Sequence, residues 1–301
     1  MNSRWIEDTH ALLHNSATDH GLSTRRRALQ SALGVGYAAA ALPLMAQTAV
    51  KTSHEGLVEG EVTVNVNGFA MPAYRSAPAG KTRLPVVIVI SEIFGVHEYI
   101  ADVTRRFAHQ GYLAIAPELF VRQGDPGSYG ELAKLQAEVI AKVPDAQVMA
   151  DLDATLQWAL QNGGNPDRVT VNGFCWGGRM TWLFCAHNPQ VKAGVSWYGR
   201  LDGPTSALSP RHPIDVVPHL KAPVLGLYGG ADTGIPLTAV ERMKAALTQA
   251  GGQGQRAARA SQFVVYPDAP HAFHADYRPT YRAAAAQDAW ARALQWIQLQ
   301  S

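Results

Sequence analysis

The stretch Gly173-Phe174-Cys175-Trp176-Gly177 decides the fold of this chain. An alternating run at 168–172 precedes it and predicts a short strand, and an apolar run at 178–186 follows it and predicts a helix. A strand that turns at once into a helix, with small residues two places either side of a nucleophile, presents that nucleophile on a strained turn. The residue at the tip is Cys175, so the chemistry depends on how a thiol becomes reactive.

A series of apolar runs, separated by helical patterns, accompanies this turn. The runs are typical of strands buried on both faces of a parallel sheet. The sequence therefore predicts a doubly wound, mostly parallel α/β sheet with helices on both faces. The strand runs are 85–90, 112–117, 169–172, 193–198, 224–228 and 263–266, and the helical patterns are 99–109, 131–143, 146–161, 237–250 and 279–299.

An antiparallel hairpin is predicted ahead of the parallel strands. The alternating runs 61–66 and 70–75 are joined by Asn67-Gly68, which is a strong signal for a two-residue hairpin turn. Nothing in residues 56–301 has the composition of a linker. We therefore expect one domain over that range.

Composition narrows the class of partner. The chain has 301 residues, of which 47% are hydrophobic and 17% are charged, and its net charge is only +2. That balance is ordinary for a globular protein and gives no electrostatic footprint for nucleic acid. No apolar run after residue 50 is long enough to span a bilayer. Cys175 and Cys185 are separated along one predicted helix, so we expect no disulfide and a buried Cys185.

The N-terminal segment predicts a location. Arg25-Arg26-Arg27 precedes a Gly/Ala-rich segment at 28–42, and this resembles a twin-arginine export signal. Small residues at 45–49 offer a cleavage site. We therefore treat residues 1–50 as an export-signal-like segment and expect a periplasmic protein. The alternative is a cytoplasmic protein whose N-terminal arm carries a chance arginine cluster.

His271 is the candidate base. It lies in the loop 267–273, directly after the last predicted strand. In α/β-hydrolases, which the strand–turn–helix resembles, the nucleophile, the acid and the histidine follow one another in that order. His274, three residues later, is the competing histidine.

Asp232 is the candidate acid, because it follows the predicted strand 224–228 and lies between Cys175 and His271 in the sequence. A carboxylate in this place holds the imidazole in the required tautomer and stabilises the imidazolium. Asp232 also fits a turn or a helix cap, and Asp268 is a weaker competitor for the role.

Two backbone N–H groups are candidates for an oxyanion hole. In this fold one donor follows the nucleophile, which is Trp176, and the other comes from the loop after an earlier strand, which here is Ile93. Glu92 is then adjacent to the site. It fits either a simple cap or a group that takes the thiol proton.

Four segments together resemble the dienelactone hydrolase (carboxymethylenebutenolidase) family. They are 91–95, 173–178, 230–232 and 270–273, and the resemblance extends over about residues 56–300. It implies a single-domain α/β-hydrolase with a Cys175–His271–Asp232 triad and with Glu92 as the partner of the resting thiol. We expect no cofactor and no metal.

The resemblance also implies arginines that bind a substrate carboxylate. Arg122 is the counterpart of the first. The second follows the histidine by four residues in the family, where this chain has Ala275, and Arg278 is the nearby cation. Guanidinium groups pair with carboxylates through two hydrogen bonds, which gives the assignment a physical basis.

The sequence thus predicts a hydrolase that cleaves an ester or a lactone, a small-molecule substrate, through an acyl-cysteine. A thioesterase or a neutral carboxylesterase on the same fold is the first alternative. A second alternative is a non-catalytic protein that binds a ligand or partner. A third is a metal site built from His271, His274 and Asp276.

Overall fold

The computed structural model describes residues 49–300, so the predicted export segment lies outside it apart from its last two residues. The described chain forms one eight-stranded sheet in the order β1-β2-β4-β3-β5-β6-β7-β8. The strands are β1 (Leu57–Val66), β2 (Phe69–Pro78), β3 (Leu84–Ile90), β4 (Leu113–Pro117), β5 (Gly164–Phe174), β6 (Ala193–Trp197), β7 (Val224–Gly229) and β8 (Gln262–Tyr266).

The predicted N-terminal hairpin is confirmed. Strands β1 and β2 are antiparallel and Val66 lies opposite Phe69, which leaves Asn67 and Gly68 as the turn. Both turn residues have positive φ, 51° and 90°, as a two-residue hairpin turn of this kind requires. The hairpin joins the sheet through an antiparallel contact of β2 with β4.

The remaining strand pairs are parallel, which confirms the predicted fold class. The central strands β3 and β5 are buried along most of their length, as their β-branched composition predicts. Parallel strands bring their carboxyl ends to one edge of the sheet, and ligands of such folds bind at that edge.

Helices cover both faces of the sheet. They are α1 (Glu98–His109), α2 (Leu132–Glu138), α3 (Asp145–Gln161), α4 (Trp176–His187), α5 (Pro213–Val216), α6 (Leu237–Gly252), α7 (Arg256–Ala260) and α8 (Ala283–Gln300). Short 3₁₀ turns occur at Pro126–Ser128, Ile140–Lys142 and Val217–His219.

Two predicted helix bounds were wrong. The pattern at 131–143 is interrupted after Glu138, where α2 ends at the buried Val139 and a 3₁₀ turn follows at Ile140–Lys142. The last helix begins at Ala283 rather than at residue 279, because the preceding residues form turns. In that segment the Arg282 N–H donates to the Phe273 carbonyl at 3.0 Å, which folds the turns back onto the loop that carries His271.

No helix within residues 49–300 combines the length and the apolar character that a membrane crossing needs.

Candidate active site

Cys175 occupies the turn between β5 and α4. Its backbone has φ 54° and ψ −111°, a conformation that non-glycine residues rarely adopt. Its N–H donates to the Trp197 carbonyl at 2.9 Å, which fixes the strained turn against β6. Strain of this kind is concentrated at functional sites, and here it presents the sulfur at the amino end of α4.

The glycines of the turn are required by close backbone contacts. A Cβ atom on Gly173 would lie 2.1 Å from the Gly177 carbonyl oxygen, and one on Gly177 would lie 2.4 Å from the Ile90 carbonyl oxygen. Any side chain at either position would force the backbone apart. The same contacts bring the start of α4 against the end of β3, from which the Glu92 loop leaves.

Cys175, His271 and Asp232 form one hydrogen-bonded line. His271 Nε2 lies 3.2 Å from Cys175 Sγ, and His271 Nδ1 lies 2.7 Å from Asp232 Oδ2. The other oxygen of Asp232 accepts from the N–H groups of Gly234 at 2.8 Å and Ile235 at 3.1 Å. Asp232 is therefore held in place from both sides.

The electrostatics of this line favour a charged imidazole. Burial alone would lower the pKa of His271, but the charge of Asp232, the electrostatic interaction with the Cys175 sulfur and the hydrogen bonds to both outweigh it. Together they raise the pKa of His271 to about 10. The site therefore stabilises a proton on the imidazole beside the sulfur.

His274 does not face the cysteine. It is 3% exposed, its Nδ1 lies 2.6 Å from the Tyr99 hydroxyl, and its ring packs against Trp197 at 4.5 Å between centroids. Burial, and then the charge of Arg106, lower the pKa of His274 well below its ordinary value. It is a neutral core residue that anchors the loop behind His271.

The expectation that Glu92 pairs with the resting thiol is not met in this geometry. Glu92 is 1% exposed, and its carboxylate is bonded to His97 Nε2 and to the Tyr277 hydroxyl, each at 3.3 Å. A buried carboxylate needs hydrogen-bond donors. His97 and Tyr277 provide two donors, whereas a thiol provides a single weak one. The thiol is paired with His271 instead.

Charge also favours this placement of Glu92. Burial acts to raise the pKa of Glu92, but the hydrogen bond and charge of His97, together with the charge of Arg278, outweigh it. The pKa of Glu92 therefore lies below its ordinary value, and the group is an anion in a buried setting.

The two candidate oxyanion donors lie where the turn meets the Glu92 loop. Trp176 is the first residue of α4, so its N–H belongs to the unpaired amino end of the helix. Ile93 follows Glu92 on the loop after β3. Neither N–H donates a hydrogen bond to another group within residues 49–300.

Arg122 is engaged elsewhere. Its guanidinium donates two hydrogen bonds to Asp151, at 2.7 and 2.8 Å, and lies 4.1 Å from the centroid of the Phe69 ring. Asp151 is fully buried. The substrate-binding role of Arg122 stays a prediction, and in this geometry both terminal nitrogens bind a carboxylate of the protein.

The Arg278 side chain is buried beside two aromatic rings. It is 7% exposed, and its guanidinium carbon lies 5.4 Å from the Phe94 ring and 5.9 Å from the Tyr277 ring. Its charge acts on Glu92 and Tyr198. Its guanidinium makes no hydrogen bond or ion pair with another residue of the described part of the chain.

Sequence reasoning missed three residues that contact Glu92 or His271. His97 and Tyr277 bond the Glu92 carboxylate, and the Tyr198 ring contacts the His271 ring at 5.1 Å between centroids. The pattern at 193–198 assigns Tyr198 to a strand, whereas the strand ends at Trp197 and Tyr198 has φ 40°. The available signal was position, since Tyr198 follows the carboxyl end of the strand next to β5.

The three candidate metal ligands are directed to different partners. His271 bonds Asp232 and Cys175, His274 bonds Tyr99, and Asp276 bonds Arg106. In the part of the chain that the structure describes, no three His, Cys, Asp or Glu side chains are grouped as a metal site requires.

Comparison with known proteins identifies the family. A sequence model of the dienelactone hydrolase family matches residues 71–301. A protein of Methylorubrum extorquens named "Putative carboxymethylenebutenolidase" is 52% identical over 275 residues, which cover 91% of this chain and 92% of that protein. A Bradyrhizobium protein named "Probable 2-oxo-3-(5-oxofuran-2-ylidene)propanoate lactonase" is 31% identical over 78% of this chain and 92% of its own length.

A solved structure agrees in fold. The crystal structure titled "Putative Dienelactone Hydrolase" from Klebsiella pneumoniae superposes with a TM-score of 0.76 at 51% identity, covering 80% of this chain and 98% of that one. The sheet order, the turn at Cys175 and these matches agree with one another. This chain belongs to the dienelactone hydrolase family of the α/β-hydrolases, and it is a hydrolase of the carboxymethylenebutenolidase type.

Proposed function

We propose that this hydrolase cleaves an ester or lactone bond through an acyl-cysteine intermediate, with Cys175, His271 and Asp232 as the triad. The observation that carries the proposal is the continuous line from Asp232 Oδ2 through His271 to Cys175 Sγ, at 2.7 and 3.2 Å. Its nucleophile stands on a strained turn, and its base is oriented by a buried carboxylate.

In the first half of the reaction, His271 Nε2 takes the proton from Cys175 Sγ, and the sulfur attacks the substrate carbonyl. The C–O bond of the ester or lactone then breaks, and the leaving oxygen takes the proton from His271. In the second half, His271 removes a proton from water, the resulting hydroxide attacks the thioester, and the proton returns to the sulfur as the acid leaves. Atoms and charges balance over the cycle.

The N–H groups of Ile93 and Trp176 are the proposed donors to the oxyanion that forms in each half. Their support is the contact between the end of β3 and the start of α4, which brings the two backbone segments together. Donors that are fixed before the reaction cost no reorganisation when charge develops.

Glu92 is proposed as a second acceptor for the thiol proton. Its support is its place directly after Ser91, whose backbone packs against Gly177 at the start of α4, the helix that follows Cys175. In the geometry described here it is bonded to His97 and Tyr277, so His271 is the acceptor in this arrangement.

The proposed substrate is a lactone or ester that carries a carboxylate, and Arg278 is its proposed counter-ion. A buried guanidinium without a hydrogen-bond acceptor among the described residues is suited to an anion that arrives with the substrate. The name of the Bradyrhizobium relative refers to a propanoate lactone, which agrees with this class. Arg122 remains a proposed second contact only if it leaves Asp151.

A neutral ester or thioester is the second candidate substrate. It is favoured by the Arg122–Asp151 ion pair and by the fully buried Ala275, because together they leave one arginine where a two-arginine clamp was expected. Comparison of a carboxylate-bearing lactone with its methyl ester distinguishes the two candidates.

The test uses the full chain with dienelactone and a short aryl ester. Cys175→Ala should abolish hydrolysis of both, whereas Cys185→Ala should retain it, since Cys185 is buried and burial raises the pKa of its thiol. Mass spectrometry of a quenched wild-type reaction should show the acyl group on Cys175. Equal rates for wild type and Cys175→Ala would refute the mechanism.

A further inference from the structure

The Glu118 carboxyl group contacts the loop that carries Ile93. Glu118 lies directly after β4, which is the neighbour of β3 in the sheet. The Val96 N–H donates to Glu118 Oε1 at 3.2 Å. Glu118 Oε2 lies 2.9 Å from the position that a Cβ atom on Gly95 would take. Both oxygens of the carboxyl group therefore face the backbone of this loop, just after the proposed oxyanion donor.

The backbone of this loop depends on that contact. The loop leaves β3 at one end and enters α1 at the other. Between them, the His97 N–H donates to the Gly95 carbonyl at 3.2 Å, which is a bond within the loop. Among the described residues, the bond from Val96 to Glu118 is the hydrogen bond that joins the backbone of 93–96 to another element of the fold. Its removal would leave the middle of the loop without that attachment.

The segment after β4 also contacts the residue that carries the second oxyanion donor. Phe120 is fully buried, and its ring lies 4.7 Å from the Trp176 ring between centroids. The Glu118 N–H donates to the Pro72 carbonyl at 2.9 Å, which fixes the start of the segment against β2. One anchored segment thus contacts both the loop of Ile93 and the side chain of Trp176. An oxyanion hole is effective only when its donors are held in place before the reaction.

The protonation state of Glu118 determines which substitution is conservative. Burial raises the pKa of Glu118 to about 8, the Val96 N–H opposes the shift, and the charges of Asp125 and Glu61 add to it. At pH 7 the carboxyl group is therefore mostly neutral and accepts through its carbonyl oxygen, as the amide of glutamine does. Methionine has a similar length, but its sulfur accepts hydrogen bonds only weakly. Glutamine keeps the acceptor for Val96, and methionine removes it.

We propose that Glu118 is a positioning residue for the oxyanion hole: its carboxyl oxygen holds the Val96 N–H and thereby keeps the Ile93 N–H in place for the oxyanion. The anchored segment of Glu118 and Phe120 sets the separation between the Ile93 loop and Trp176. In this role Glu118 acts through the loop and makes no contact with the substrate. The inference rests on the proposed function, because it takes the two N–H groups as the oxyanion donors.

The test compares a short aryl ester with the corresponding thionoester at pH 7. The thionoester sulfur accepts hydrogen bonds weakly, so the oxyanion hole favours the ester. Glu118→Met should lower kcat for the ester about tenfold, part of the roughly 100-fold that loss of a whole donor costs, and should change KM less than about twofold. The ester-to-thionoester ratio of kcat/KM should fall by about the same factor as kcat. Glu118→Gln should keep the wild-type values.

The ratio guards against a folding artefact, because both substrates are measured on one preparation and the active fraction cancels. Glu118→Leu is a second variant without an acceptor and should give the same lowered ratio. The matched control is Thr170→Val, because the buried Thr170 hydroxyl donates to the Val86 carbonyl at 2.9 Å within strands β5 and β3. That variant should lose stability in urea and keep the wild-type ratio.

Three outcomes would overturn the inference: an unchanged ratio in both acceptor-free variants, a loss in Glu118→Gln as large as in Glu118→Met, or an equal loss in Thr170→Val. A failure of the proposed function would be seen differently, as full activity of Cys175→Ala or as a wild-type ratio equal to that of the same two esters in hydroxide solution. An active Glu118→Met enzyme with the wild-type ratio would therefore refute the positioning role alone.

Discussion

Arg106 donates a hydrogen bond to Asp276, and the pair joins helix α1 to the loop that carries His271 and Arg278. Arg106 also bonds Asp102 at 2.6 Å. Residues at the start of the described chain complete this network. The N–H of Thr52 donates to Asp102 at 2.6 Å, and the N–H of Val50 donates to Asp276. The residues that precede β1 therefore help to hold the His271 loop against α1.

Asp276→Ala should destabilise the protein and weaken catalysis. It removes a fully buried carboxylate. Arg106 then keeps Asp102 as a carboxylate partner, and the Val50 N–H loses its hydrogen bond to Asp276. We expect the free energy of unfolding, measured in urea, to fall by about 2 kcal/mol, the value for a hydrogen bond to a charged group. kcat/KM should fall as the His271 loop loosens.

The control for this substitution is Glu241→Ala, which breaks the exposed Glu241–Lys244 pair. It should change the free energy of unfolding by less than about 0.5 kcal/mol. If Asp276→Ala is as mild as this control, the network does not hold the loop.

Asp232→Asn should reduce kcat and narrow the pH range of activity. The Asp232 charge is one of the interactions that raise the pKa of His271 to about 10, so its removal lowers that value. Above the lowered pKa the imidazole no longer carries the proton that the leaving oxygen requires. We expect kcat to fall by about 100-fold or more, and the alkaline limb of kcat/KM to move to lower pH.

A pH–rate series from pH 5 to pH 10 with the aryl ester tests this, with circular dichroism at each pH to exclude unfolding. An alkaline limb at the same pH in both proteins would show that His271 is not the proton donor in the rate-determining step.

The sequence alone is sufficient to predict most of the fold and to select the three residues of the hydrogen-bonded line. Strand and helix alternation comes from local apolar periodicity, and the hairpin comes from Asn67-Gly68, so both depend on neighbours in the chain. Cys175, Asp232 and His271 each follow the carboxyl end of a strand, and parallel strands bring those ends together. Chain order alone therefore places them at one edge.

The cations could not be assigned in the same way. Arg122 pairs with Asp151, which is 29 residues away on a different element, and no local pattern indicates such a pair. The sequence pattern assigns Tyr198 to a strand, and only its positive φ and its unpaired hydroxyl distinguish it from a strand residue. Contacts between distant elements depend on packing, which periodicity does not encode.

Glu118→Gln should change how stability depends on pH. Burial raises the pKa of Glu118 to about 8, although a hydrogen bond from the Val96 N–H at 3.2 Å opposes the shift. Because the folded pKa exceeds the ordinary value of 4.5, this carboxyl's contribution is complete below about pH 4.5 and is lost as the pH rises through about 8. Glutamine stays neutral and still accepts from Val96.

The difference in unfolding free energy between Glu118→Gln and wild type should therefore shift in favour of the variant from pH 5 to pH 9. Urea unfolding at both pH values measures it, and contributions from His271 cancel in the difference. A constant difference would mean that Glu118 titrates alike in the folded and unfolded chains.

Arg278→Met and Arg122→Met should separate substrate binding from structural support. Arg278 is buried without a hydrogen-bond acceptor among the described residues, so its loss should raise KM for a carboxylate-bearing lactone by about tenfold or more, with a smaller effect on the methyl ester. Arg122→Met leaves the buried Asp151 charge unpaired, which should lower the free energy of unfolding by about 3 kcal/mol.

The ratio of kcat/KM for the lactone to that for its methyl ester discriminates between the two arginines. We expect this ratio to fall in Arg278→Met and to stay constant in Arg122→Met, because the Arg122 guanidinium already binds a carboxylate of the protein. The reverse pattern would mean that substrate displaces Asp151 and that Arg122 binds the substrate carboxylate. A constant ratio in both variants would favour a neutral ester as the substrate.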